Sequence, residues 1–162
     1  MPPQAREKYL LTEVMTASPQ RLHLMLIEGA IRFVHKARLH WAAKEDEQAG
    51  AALIRAEEIV GEILGGFKRD LDPALVKQVT SLYLFLYRTL VEAAFRRDDA
   101  KLAEALKILE IERDTWRQVC ADLAAEQSGP AAQPQPGPSP IPPGILEAYP
   151  AEGERGQFSF EA

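Results

Sequence analysis

Apolar residues recur at three- and four-residue steps in four long stretches between Ser18 and about residue 126, with short polar breaks between them. The first carries Leu22, Met25, Leu26, Gly29, Phe33, Ala37 and Trp41 along one helical face. The second begins near Asp46 and runs through Ala49, Ala52, Leu53, Ala56, Val60, Ile63, Leu64 and Phe67, with Gly65-Gly66 weakening its end. Val79, Leu82, Tyr83, Leu86, Leu90 and Ala94 mark the third, and Leu102, Leu106, Leu109, Trp116, Cys120 and Leu123 the fourth. Start signals sit where the pattern needs them: Ser18-Pro19, Asp72-Pro73, and Asp98 or Asp99 each offer a capping oxygen, twice with a proline suited to the first helical turn. Helices of roughly 22–27 residues would be about 33–40 Å long. Connections of a few residues bring sequential helices together antiparallel. The pattern therefore predicts an all-α fold, an antiparallel up-down four-helix bundle over 18–126. A short amphipathic segment precedes it within 1–17, with Tyr9, Leu10 and Val14 as its apolar positions.

Two of these helices hold more apolar residues than one buried stripe of about 100° requires. On the third, Leu84, Tyr87, Val91 and Phe95 form a second stripe, rotated from the first by roughly a third of a turn. On the first, Leu24, Ile27 and Ile31 fall outside the seam traced above. A helix that touches several neighbours explains such a surplus, and so does a groove for a partner helix. The groove reading assigns Leu24, Ile27, Ile31, Leu84, Tyr87, Val91 and Phe95 to its lining, with Tyr9, Leu10 and Val14 as a movable cover. Gly29, in mid-helix, is read as a point of tight packing between helices.

From Ser128 the composition changes: proline recurs through residue 143, and Phe158 and Phe160 stand in a polar end. Residues 127–162 are expected to be a disordered, proline-rich tail. Charged residues make up 27% of the chain and the net charge is −5. That balance opposes general nucleic-acid binding, and Lys68-Arg69 and Arg96-Arg97 are pairs at helix ends, where cations suit the dipole. The lone Cys120 cannot build a disulfide framework or a cysteine zinc site. With no long apolar run and no apolar N-terminal signal, the expected location is the cytoplasm, without membrane insertion. His23, His35 and His40 all lie on the first helix, and none follows a Glu by three residues, so the carboxylate–histidine pattern of bundle metal sites is missing. No phosphate loop or hydrolase elbow is present, and no cofactor and no catalysis are expected.

Tyr9, Val14 and Thr16-Ala17-Ser18-Pro19, followed by Leu22, Met25-Leu26, Gly29-Ala30-Ile31 and Phe33, form a pattern that resembles the FliS family. Leu53, Ala56, Ile59, Val60, Glu62 and Leu64 continue the likeness, as do Val79, Leu82 and Tyr83, then Asp98, Leu102 and Glu104, and finally Arg113, Asp114 and Trp116. It spans roughly residues 9–120. The chain departs from the family at Ile27-Glu28, where Tyr-Asp is usual, and at Ala93-Ala94, where Ala-Asn is usual. The resemblance implies a cytoplasmic export chaperone that holds the C-terminal segment of flagellin, blocks its premature polymerisation and presents it to the flagellar export gate. Two other readings fit a helical bundle: a regulatory adaptor for another secreted or regulatory protein, and a histidine phosphotransfer module. His35-Lys36 is the only hint of the latter, and no clearing of small residues surrounds His35.

Overall fold

A computed structural model of the chain describes residues 2–67 and 72–129. Lys68-Arg69 and the proline-rich stretch from Pro130, with Phe158 and Phe160, lie outside the described residues. All regular structure among the described residues is helical: α1 (Pro3–Thr16), α2 (Pro19–Ala42), α3 (Asp46–Gly66), α4 (Pro73–Arg96) and α5 (Asp99–Gln127). The caps act as their chemistry dictates. The Arg21 N–H donates to Ser18 Oγ (3.2 Å), the Ala74 N–H to Asp72 Oδ1 (3.0 Å) and the Lys101 N–H to Asp98 Oδ1 (3.2 Å).

Helices α2 and α4 each pack against both α3 and α5, closing a ring of neighbours. Contacts along α2 and α5 run in opposite order: Arg38 meets Asp99, while Glu28, nearer the start of α2, meets Arg117 near the end of α5. Two exposed ion pairs fasten the same end of the ring, the bidentate Arg38–Asp99 (2.6 and 2.8 Å) and Arg97–Asp46. Such surface pairs add at most about 1 kcal/mol each, so apolar burial carries the fold.

That burial corrects the expected phase of α2. Leu24, Ile27 and Ile31, assigned above to a groove, are core residues, together with Ala30, Val34 and Ala37. Leu22, Met25, Leu26, Phe33 and Trp41, taken as the central seam, are only partly buried. The cause is that α2 is gripped from two sides. At 100° per residue its buried positions from Gly29 round to Leu24 span about 220° of the circumference, far more than a helix with one neighbour needs. Gly29 marks the close approach of α3: a Cβ built there would lie 3.3 Å from Ile59 Cδ1.

The helix α2 ends without glycine. Lys44 takes the left-handed conformation (φ 62°) so that Glu45 N–H can reach the His40 carbonyl (2.8 Å). A side chain in that region is strained by roughly 1–2 kcal/mol, offset in glycine by greater backbone freedom when unfolded. Lys44→Gly is therefore expected to raise stability by about 0.5–1 kcal/mol, seen as a higher midpoint in urea unfolding.

Candidate functional site

The outward side of α4 is apolar where solvent would favour polar residues. Tyr83, Leu86, Leu90 and Ala93 point into the core, and this fixes the helix rotation. Leu84, Tyr87, Val91 and Phe95 are then turned outward, with exposures of 38%, 37%, 40% and 90%. Their spacing of three, four and four residues aligns them in one row about 16 Å long. Beside the row lies a shallow groove of about 470 Å³, lined by Tyr87, Arg88, Val91, Glu92, Phe95 and Arg96.

The polar rim is mostly self-satisfied. Lys101 Nζ donates to Glu92 (2.9 Å) and Arg96 stands 3.5 Å from the same carboxylate. The Lys101 hydrogen bond holds the Glu92 carboxyl below its ordinary range, so it stays charged and paired. The groove thus presents an apolar floor with Arg88 and Arg96 as cationic edges. Four anchors in helical register can receive the apolar face of a partner helix, each contributing up to about 1.5–3 kcal/mol on full burial.

The predicted lining residues therefore separate. Leu84, Tyr87, Val91 and Phe95 share one surface, whereas Leu24, Ile27 and Ile31 are absent from it because they fill the core. Tyr9, Leu10 and Val14 form no cover in this structure. Helix α1 has no buried residue and follows its own course, joined through extended Ala17 and tied to α2 by an Arg21–Glu13 ion pair (2.9 Å). Its exposed apolar side chains Leu10, Leu11, Val14 and Met15 fall within about 140° of one another on one side of the helix, and Tyr9 stands apart from them.

One cluster escaped the sequence reading. His23 lies 4.1 Å, centroid to centroid, from Trp116, edge-on to Tyr83 at 5.9 Å and tilted to Phe67 at 6.1 Å. The Tyr83 hydroxyl donates its only proton to Glu112 Oε2 (3.0 Å), so its oxygen must accept from His23 Nε2 (3.1 Å). That places the neutral imidazole's proton on Nε2. The one available signal was that Tyr83 and Trp116 occur in separate motifs, and nothing local ties them to His23. Burial, and then the charge of Glu112, push the Tyr83 phenol up, so it remains a donor. The cluster ties α2, α4 and α5 together.

Burial also lowers His23 from its ordinary 6.5 to about 4. As pH falls below 6.5, the unfolded chain takes up this proton first, so stability declines between pH 6.5 and 4 and levels off below. Above 6.5 both states are neutral and the group contributes no slope. Allowing for partial exposure to water, the loss is about 1–2 kcal/mol. Urea titrations at pH 7 and 4.5 should show the wild type losing that much more than His23→Phe.

Among the described residues no three His, Cys, Asp or Glu side chains converge as a metal site. No described helix is long and apolar enough to cross a membrane.

Comparison with known proteins follows the same regions. The family model described as "Flagellar protein FliS" matches residues 2–123, which takes in all of α1 to α4 and most of α5. The chain is 29% identical over 121 residues to the flagellar secretion chaperone FliS of Bacillus subtilis (strain 168), covering 75% of this chain and 90% of that one. It is 28% identical over 116 residues to the protein of the same name from Salmonella typhimurium (71% and 86%). With that of Escherichia coli (strain K12) it shares 27% over 109 residues (65% and 78%).

Proposed function

This chain belongs to the FliS family, and from that premise we propose that it is a flagellar export chaperone whose client is the C-terminal segment of flagellin. The observation that carries the reading is the outward row Leu84, Tyr87, Val91 and Phe95, four apolar anchors in helical register that no other described element covers. A client segment unstructured in the monomer folds as an amphipathic helix along this row and is kept from polymerising. The exposed apolar residues of α1, with Tyr9, Leu10 and Val14, close over the bound client. The contact ring and the opposed order of its ion pairs support an antiparallel up-down four-helix bundle over 18–126. The protein works in the cytoplasm, holds one client, and hands it to the export apparatus by binding alone, without a catalytic step.

The reading is tested by adding the purified chain to flagellin monomers and following filament growth by light scattering. Equimolar chaperone should suppress growth, and chaperone pre-saturated with the free C-terminal segment should no longer suppress it. Unchanged growth with the folded chaperone present contradicts the proposal.

A further inference from the structure

We propose that the outward face of the last three turns of α2 is a second docking surface, for an acidic protein segment carrying an apolar anchor. Between Glu28 and Glu45 the chain holds Arg32, Lys36, Arg38 and Lys44 with His35 and His40, and no acidic residue, although its net charge is −5. The segregation survives folding. Arg32, His35, Lys36 and Leu39 are all exposed and share the side of α2 opposite the core. Glu28, one turn before Arg32 on the same side, is paired with Arg117 of α5 (2.9 Å). Among the described residues neither Arg32 nor Lys36 forms an ion pair. Leu39, between these cations and the helix end, is 71% exposed. Next to it opens a recess of about 760 Å³ lined by His35, Arg38, Leu39, Trp41, Ala42 and Asp99. The bidentate Arg38–Asp99 pair makes one wall of this recess rigid and nearly neutral, leaving Arg32 and Lys36 as the uncompensated charges beside an apolar floor.

That combination selects the occupant. Carboxylates would meet Arg32 and Lys36, and an aliphatic or aromatic side chain would enter the recess against Leu39 and Trp41. A nucleic acid fits less well, because two exposed cations on an acidic protein neutralise few phosphates and the apolar floor would stay unused. A second copy is disfavoured too: this face meeting itself, or meeting the groove edged by Arg88 and Arg96, sets like charges together. Helices α2 and α4 lie across the ring from one another, each flanked by α3 and α5. An acidic partner on α2 and a helix on the α4 row can therefore be held at once, although the α2 proposal does not depend on the α4 reading.

The test uses the full chain and fluorescence anisotropy with a short, labelled, glutamate-rich helical peptide carrying one leucine pair. The expected result is saturable binding that weakens at least about tenfold in Arg32→Glu with Lys36→Glu, and about as much in Leu39→Ser. It should also weaken when serine replaces the peptide's leucines, and stay unchanged in Val91→Asp with Phe95→Asp, which separates this surface from the α4 row. All substituted positions are exposed, and unfolding midpoints confirm that the variants fold. Three results would overturn the proposal: no binding at millimolar peptide, affinity unaffected by the α2 substitutions, or equal binding of the leucine-free peptide or a thymidine oligonucleotide, which would make the face a general polyanion surface.

Discussion

Aspartate at both Val91 and Phe95 is expected to weaken capture of the flagellin C-terminal segment by at least about 100-fold, or roughly 2.7 kcal/mol. Each substitution removes an apolar anchor and places a carboxylate where a helix should exclude water. Loss of two anchors alone approaches that figure, and desolvating unpaired charges adds to it. The fold should tolerate the change, since Val91 is 40% and Phe95 90% exposed. Some stability is lost because acidic residues near a helix C-terminus oppose its dipole, by about 1 kcal/mol in total. Titration of the variant with the segment, beside its urea unfolding curve, separates lost binding from lost folding. Full affinity in a folded double variant would place the client elsewhere.

Ile27→Ala should do the reverse. Ile27 is wholly buried between α2 and its neighbours, and its truncation leaves a cavity in a core of Val34, Leu53, Leu86 and Leu90. The expected cost is about 2–5 kcal/mol, a large part of the 5–15 kcal/mol typical of a domain. That corresponds to a fall in Tm of about 10 °C or more. Any client affinity measured where the variant is still folded should be close to wild type. Had Ile27 lined an open groove, alanine would leave Tm nearly unchanged and weaken the client instead. Calorimetric melting of Ile27→Ala beside Phe95→Ala, expected to move by less than about 0.5 kcal/mol, checks the assignment.

The contrast between these two residues shows where periodicity is informative. On α4, polar Arg88, Ser81 and Arg96 follow directly beyond the outward row around the helix, so the outer limit of the apolar arc can be read from the sequence and its two rows placed within it. On α2, Leu22 to Val34 is apolar at most positions, and the buried direction depends on where α3 and α5 lie. Tracing a seam from Leu22 selects one edge of a buried arc, which is why Leu24, Ile27 and Ile31 were misplaced. Helix starts were legible because a cap needs only two or three adjacent residues, as at Ser18-Pro19 and Asp72-Pro73. The His23–Tyr83–Glu112 chain joins residues far apart in sequence and leaves no local trace. The exposed course of α1 is equally hidden, since an apolar side suggests docking but does not say what covers it.

The most direct test is isothermal titration of the full chain with the C-terminal segment of flagellin from the same organism, at several temperatures. Binding at one segment per chain, with a negative heat-capacity change and its loss in Val91→Asp with Phe95→Asp, is the predicted result, because apolar burial is coupled to folding of the segment. Absence of binding by a chain shown to be folded, or undiminished binding by that double variant, would contradict capture on the α4 row.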